Sequence, residues 1–463
     1  MLTHLRIKNF KAWKDTGPVR LAPLTVIFGA NSAGKSSLGH LLLALQQTAR
    51  STDRKRALHL GDSSSLIDLG TFTDCLYGHD LAQPLCFELG WQLPKPLDIR
   101  DPLVPASRYT GNAMRLHVEL MANKSAQPEV QAMRYGLSNG VGEVLDVELR
   151  RDSHRKFLLD SRRYAFKLED GRRPLEEPEK FYRLSDLSAA RFKNAGFMAD
   201  LALATEAMLD SLAYLGPLRN HPQRIYQWSG DTPASVGSTG EQTIAAILAA
   251  QSDGRQLNRG PRRAKQGFAE FIAGWLKDLG VIHDFSVRAV AEGRKEYEVL
   301  IKTGAHTPEV KITDVGFGVS QVLPALVQAF YCPPNSTVWM EQPEIHLHPQ
   351  VQAELADLFI SAIQARQDSV ERHVQLIVES HSEHFLNRLQ LRVAEGVLTP
   401  DDVAVYFCRR SSSGAELEPL RLNLFGEIEN WPENFFGDEM ADIAARTLAA
   451  MKRKKAQAQA VDE

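Results

Sequence analysis

Gly29-Ala30-Asn31-Ser32-Ala33-Gly34-Lys35-Ser36 fits the pattern GxxxxGK[ST] without a mismatch, and Ser37 extends it to GANSAGKSS. In such a loop the glycines let backbone N–H groups turn inward around phosphate oxygens. The lysine neutralises β/γ charge, and the hydroxyl after it is a ligand for Mg²⁺. Gly29, Asn31, Gly34, Lys35, Ser36 and Ser37 are thus the expected nucleotide-binding residues, for ATP or GTP, on a solvent-accessible loop. What surrounds the loop agrees with this. Pro23–Phe28 (PLTVIF) is a short apolar run that reads as a buried strand, and Leu38–Gln46 reads as a helix. Strand, glycine loop, helix is the setting a phosphate loop requires.

Three further stretches have the chemistry to complete such a site. Thr337–Glu341 (TVWME) is an apolar strand ending in a carboxylate, the place where a P-loop protein holds Mg²⁺. Glu341 is the expected metal ligand beside Ser36, with Gln342 next to it; the plainer alternative is a buried strand with an exposed acidic end. Gln375–His384 (QLIVESHSEH) is a second apolar strand with a polar end. His381 lies just past its carboxyl end, where open α/β sheets bind ligands, and can reach a γ-phosphate or the attacking water. Glu379 and Glu383 can assist there, or be solvated surface. His346 and His348, with Glu344, resemble part of a metal site, but no fourth ligand has useful spacing, so a turn-forming loop is favoured. Asp314–Gln321 (DVGFGVSQ) opens an apolar helix with Gly316 and Gly318. Glycine-rich backbone at a helix N-terminus is an anion site. A second one, in a chain that already has a phosphate loop, suggests contact with another subunit's γ-phosphate; a tight turn is the alternative.

Outward from these motifs, strand signals at Thr337–Glu341, Gln375–Glu379 and Val403–Cys408 alternate with helix-like Val319–Phe330 and Val351–Ala365. That alternation predicts an α/β fold, a mainly parallel sheet with helices on both faces. Leu2–Ile7 reads as an edge or half-buried strand. Residues 1–80 and 211–425 are read as the two parts of this core, and 426–463 as a short C-terminal segment whose end, from Met451, frays. Between them, 81–210 has a different texture, read as a mixed α+β insertion. It holds β-like pieces at Leu116–Leu120, Val144–Leu149 and Tyr164–Leu168. Basic clusters lie among them: Arg150–Arg151, Arg155–Lys156, Arg162–Arg163 and Arg172–Arg173. Gly254–Gln266 reads as an exposed basic loop before a helix at Phe268–Leu279.

Composition sets the class. With 43% hydrophobic and 24% charged residues the chain is neither disordered nor fibrous. A formal charge of −3 means that any nucleic-acid surface must be local. Cys75, Cys86, Cys332 and Cys408 show no CxxC pairing and read as reduced packing residues. No apolar run approaches the roughly 20 residues that span a bilayer, and the start lacks a signal-peptide core, so a cytoplasmic protein without membrane contact is expected.

Together LRIKNFKAW, GANSAGKSS, DVGFGVSQVLPAL, VWMEQPEIHLHP and VESHSEHF resemble the ABC-type ATPases, within them the chromosome-maintenance and overcoming-lysogenisation-defect branch of AAA-family P-loop proteins. The resemblance implies an ABC-type P-loop ATPase core using ATP and Mg²⁺. It makes Lys35 and Ser36 the Walker A contacts, Glu341 the Walker B carboxylate, and His381 the switch. Gly316 and Gly318 would belong to a signature acting in trans in a dimer or higher oligomer. YLGPLRNHPQRIY, VGSTGEQ and NWPENFF are similar to a bacterial subgroup with a short C-terminal domain of unknown function, related to ATPase subunits of anti-phage systems such as Septu and PARIS.

Two departures stand out. Gly316 replaces the usual signature serine. Gln342 stands at the catalytic glutamate's position, and a glutamine cannot accept the proton of water. Either Glu344 substitutes or hydrolysis is slow, and the second is favoured. The expectation is thus an oligomerising sensor ATPase of an anti-phage system, controlling a separate nuclease or toxin encoded nearby. The stretch after His381 is too short for a Toprim nuclease of its own. A DNA-repair clamp contacting nucleic acid is the alternative, and the basic clusters suit either. A transporter subunit lacks recognisable docking features.

Overall fold

The computed structural model describes residues 1–463 except 170–173, 261–262, 413, 433–434, 436–445, 452 and 454–463. The chain begins with β1 (Leu2–Phe10), β2 (Trp13–Asp15), β3 (Val19–Arg20) and β4 (Leu24–Gly29), then α1 (Lys35–Arg50) and the short α2 (Phe72–Cys75). Next come β5 (Leu85–Arg100), β6 (Arg108–Ala122), β7 (Pro128–Asn139), β8 (Gly142–Arg151) and β9 (Phe157–Asp160). They lead through α3 (Asp186–Ala189) and α4 (Met198–Asp210) to β10 (Leu212–Leu215) and β11 (Tyr226–Gln227). After α5 (Thr243–Ser252) stand β12 (Gln256–Asn258), β13 (Gln266–Gly267), α6 (Phe268–Asp278), β14 (Asp284–Ala289), β15 (Glu296–Lys302) and β16 (Val310–Lys311). The last third holds α7 (Phe317–Tyr331), β17 (Thr337–Glu341), α8 (Pro349–Gln364), β18 (Arg366–Gln367) and β19 (Val370–Glu371). It ends with β20 (Gln375–Ser380), α9 (Glu383–Ala394), β21 (Val403–Ser411) and β22 (Gly414–Leu420).

The central sheet runs β10-β17-β20-β4-β21-β22. Every pair in it is parallel except β21 with β22. Its inner strands are buried on both faces, which is why TVWME, QLIVES and LTVIF carry almost continuous apolar runs. Alternate residues face opposite ways. Ile27, Trp339 and Ile377 pack with the apolar side of α1 and with the antiparallel strands β5–β8. Val26, Phe28, Val338, Met340, Leu376 and Val378 pack with α5 to α9. One face of the sheet is therefore covered by helices, and the other by α1 and α4 together with a second sheet, where helices alone were expected.

That second sheet has eight antiparallel strands, in the order β2-β1-β5-β6-β7-β8-β9 with β3 also paired to β1. The stretch 81–210 thus supplies five strands to a sheet that the first 20 residues begin. Two expected pieces lie inside longer strands, Leu116–Leu120 in β6 and Val144–Leu149 in β8. Tyr164–Leu168 is not a strand: Leu168 makes one bridge to Phe192, and the ring of Tyr164 packs instead on Phe166 and Phe197. Arg151 pairs with Glu129 at 3.0 Å and with Glu177 at 2.7 Å, and Arg155 reaches Glu129 at 3.6 Å. Arg151 and Arg155 are thus ion-paired within the fold. Arg162 and Arg163 are exposed, and Arg172–Arg173 lie outside the described residues.

The basic loop Gly254–Gln266 carries a strand, β12, that pairs with both β13 and β18. In the C-terminal segment Phe435 is buried, its ring 5.8 Å from that of Phe28 and 4.6 Å from that of Phe407. The expected fraying from Met451 falls mostly outside the described residues. No described helix is long and apolar enough to cross a membrane.

Candidate functional site

The phosphate-loop motif runs from the end of β4 into α1. Gly29 has φ +144°, and a Cβ there would lie 2.1 Å from the carbonyl oxygen of Cys408 on β21. Gly34 has φ +108° and is closed in by Ala12, Trp13 and Ala415. Both positions admit only glycine, so the loop is shaped by its neighbours as well as by its own sequence. Trp13 steadies it by donating from Nε1 to Ser37 Oγ at 2.9 Å. The first turn of α1 has no acidic residue and no side-chain cap, so its N–H groups and positive dipole end stay available to an anion.

Lys35 differs from expectation: its side chain is buried, not solvent-accessible. Its Nζ donates to Gly29 O at 2.8 Å and Ala30 O at 2.9 Å, and lies 3.3 Å from His381 Nε2. An ammonium only donates, so Nε2 of His381 is the acceptor there. Burial, reinforced by the charge of Lys35, pushes the His381 imidazole down to about 4, so it is neutral at physiological pH. Burial also lowers Lys35, against the pull of Glu379.

Two carboxylates meet behind Ser36. Glu341 ends β17 and Glu379 sits at the matching position of β20; the two residues are register partners. Glu341 Oε1 accepts from Tyr214 Oη at 2.8 Å and lies 3.7 Å from His40 Nε2. Glu379 accepts from Ser36 Oγ at 2.7 Å and from Trp339 Nε1 at 2.9 Å. Solvated surface is the wrong account of Glu379, which is 1% exposed. Burial and the charge of Glu341 push its carboxyl up to about 8. Glu341 moves the other way, held low by its hydrogen-bond donors despite burial. Glu383, in contrast, is exposed in the first turn of α9.

Past β17, Gln342 adopts φ +45°, a left-handed conformation rare outside glycine and asparagine. Its N–H donates to Glu379 O at 2.9 Å. Glu344 is buried and accepts at one oxygen, Oε1, from Ser380 Oγ at 2.8 Å and from the N–H of His381 at 2.7 Å. Its other oxygen has no hydrogen-bond partner among the described residues, and burial raises its carboxyl. Glu344 thus ties the segment after β17 to the one carrying His381. Asn31, Gln342, Glu344, His346, His381 and Ser382 line one open cleft of about 520 Å³. His348 caps α8, its Nδ1 accepting from Gln350 N.

Gly316 and Gly318 are not at this cleft. Gly316 caps α7 with φ −60° and ψ 159°, an extended conformation open to any residue. A Cβ at Gly316 would meet nothing within 4 Å, and one at Gly318 only Leu347, at 4.0 Å. No described side chain caps the N-terminus of α7, and Gly316 is exposed.

Residues 264–386 match the model of the AAA ATPase domain, and residues 398–445 match that of a protein family of unknown function, DUF3696. The first stretch carries α7, β17, Gln342, β20 and His381. Over these residues the chain is similar to the AAA ATPase domain. No curated protein matches the chain. Among solved structures it is similar to an SMC head domain from Thermotoga maritima, at 11% identity and TM-score 0.39 over 91% of this chain and 99% of that one. It is also similar to an Smc head bound to the C-winged helix domain of ScpA, at 11% identity and TM-score 0.42 over 91% and 98%.

Sequence reasoning passed over several residues at the site. Tyr214 and Arg219 lie in the segment quoted only for its resemblance, yet both reach Glu341; Arg219 Nη2 donates to its backbone oxygen at 3.3 Å. Trp339 gave no sign beyond being apolar. Its ring lies against α1 where Gly39 leaves room, and a Cβ on Gly39 would fall 2.4 Å from the indole. Alanine normally stabilises a helix interior by about 1 kcal/mol over glycine. Here Gly39→Ala is expected to destabilise by about 1–3 kcal/mol, because the displaced indole also loses its bond to Glu379. Chemical denaturation measures it, and a stabilised variant would show that Trp339 repacks freely.

Proposed function

We propose that this chain is a self-associating ATPase whose catalytic sites are completed between two copies. The P-loop and the N-terminus of α1 hold the triphosphate, and Lys35 exchanges its two loop carbonyls for phosphate oxygens. Ser36, Glu341 and Glu379 offer oxygen donors only, the set a hard divalent cation such as Mg²⁺ prefers, and two facing buried carboxylates favour a positive charge between them. Bound there, Mg²⁺ would neutralise charge on the β/γ-phosphates. Neutral His381 accepts a proton bond from Lys35 or from the attacking water, while Glu344 fixes the backbone from which His381 projects.

The observation that carries the composite site is the open start of α7, which no described side chain caps and where a Cβ on Gly316 would meet nothing within 4 Å. Its N–H groups are suited to a γ-phosphate presented by a second copy. As to its role, we read the chain as the sensor or regulator of a separate nuclease or toxin in an anti-phage system. The resemblance of its motifs supports that, as does a glutamine where a rapid ATPase has a base: such an enzyme holds a nucleotide-bound state. The ion-paired arginines of β8 and the following turn weigh against a nucleic-acid surface at that place.

The test mixes two inactive variants. Gly318→Glu blocks the start of α7 by bulk and charge, and Lys35→Ala empties the P-loop of its cation. Each alone is expected to lose ATP turnover. A mixture is expected to regain part of it, because one pairing per dimer keeps an intact P-loop opposite an intact α7. Normal turnover and assembly by Gly318→Glu would reduce this segment to a turn.

A further inference from the structure

Strands β17 and β20 are parallel neighbours, so paired residues point to the same side about 4.8 Å apart. The pair at the carboxyl end is Glu341 and Glu379, and of the two strands it is β20 that lies directly beside the P-loop strand β4. Sequence reading nominates Glu341 for the cation because it is the carboxylate that ends an apolar strand. The hydroxyl of Ser36, however, donates to Glu379, at 2.7 Å. A hydroxyl has one proton and two lone pairs. With its proton on Glu379, the lone pairs of Ser36 are left for a cation. The other oxygen of Glu379 is fixed by Trp339 Nε1 at 2.9 Å, and that indole is seated against Gly39.

We infer that the divalent cation of the nucleotide complex is held by a carboxylate pair, Glu341 with Glu379, and that Glu379 orients Ser36 for it. The inference rests on the nucleotide-binding reading above. A buried carboxylate with only neutral donors and a like charge beside it costs stability unless something offsets it. Within the site the side-chain cations are Arg219, which bonds the backbone oxygen of Glu341, and Lys35, which turns toward phosphate when nucleotide binds. A metal ion then becomes the charge that both acids face. Tyr214 and His40 hold Glu341 on one side, Trp339 and Ser36 hold Glu379 on the other, so neither acid has to swing into place.

The experiment uses the full chain and its Glu379→Gln, Glu379→Asp and Glu341→Gln variants. Fluorescent ATP affinity is measured in excess EDTA, and Mn²⁺ binding to the nucleotide-loaded protein by electron paramagnetic resonance. Partners that orient metal ligands are worth about 10–100-fold in metal affinity, and Glu379→Gln is expected to weaken Mn²⁺ by that much. Its nucleotide affinity in EDTA is expected to stay near that of the unaltered chain. Should Glu379→Gln not fold, Glu379→Asp carries the test with a smaller loss of the same kind. Unaltered Mn²⁺ affinity in a folded Glu379 variant, with loss only in Glu341→Gln, would overturn the inference and leave nucleotide binding standing. An unaltered chain that fails to bind nucleotide at all would overturn the reading on which both rest.

Discussion

Replacing Lys35 by alanine is expected to abolish ATP turnover, by at least about 10²–10³-fold, because it removes a preorganised charge aimed at the transferring phosphate. In the free protein that ammonium is held by Gly29 O and Ala30 O and faces His381. Alanine leaves two carbonyls directed into the phosphate site, which repel the oxygens they would then meet. It also removes a buried side chain, so Lys35→Met, which keeps most of the volume, is the companion variant. Both are expected to melt close to the unaltered protein, since the lysine's partners are loop carbonyls and not core groups. Phosphate release and fluorescent-nucleotide titration measure the effect. Affinity for ATP like that of the unaltered chain in either variant would remove the P-loop from the site.

The second large effect runs in the opposite direction. Gln342→Glu is expected to raise the ATPase rate by about 10²-fold, the lower end of what a general base supplies. Gln342 lines the cleft shared by Asn31 and His381, and its N–H is pinned to Glu379 O, so the new carboxylate starts from a fixed backbone. The gain stays at the low end because Glu341, Glu344 and Glu379 already surround the position and resist a further negative charge. Glu344→Gln keeps an oxygen for Ser380 and His381 and is expected to change the rate little. A large loss at Glu344→Gln, with no gain at Gln342→Glu, would make Glu344 the base.

Much of this site is legible in the sequence because buried parallel strands announce themselves as apolar runs, and their polar ends mark the ligand side of the sheet. That logic reaches Lys35, Ser36, Glu341 and His381, which the fold brings together. It does not reach the order of the strands, which places β20 between β17 and β4 and so brings Glu379 against Ser36. Burial of Glu379 is a tertiary property: the same letters at an exposed strand end would be solvent-facing. Trp339, Gly39 and Tyr214 become site residues only through packing between distant segments. The long strands β5–β8 read as fragments for a different reason. Register shifts between Gln92 and Leu97, at Glu119/Leu120 and at Leu137/Ser138 break the alternation that would have joined the pieces.

The pairing of β4 with β20 also decides when the protein can fold. Leu24 finds its register partner in Leu376, and its other neighbour, Val403, comes later still. At about 5–20 residues per second, a ribosome needs roughly 20–70 s to make the ~350 residues between them. For that time the apolar strand that ends in the phosphate loop has no sheet to join, and contacts this distant in sequence close slowly even once both ends exist. A nascent chain stalled before β20 would hold the complete nucleotide motif and be unable to use it. The antiparallel sheet needs only the first 160 residues for its strands, so it can assemble first and serve as the surface on which the central sheet is later laid down.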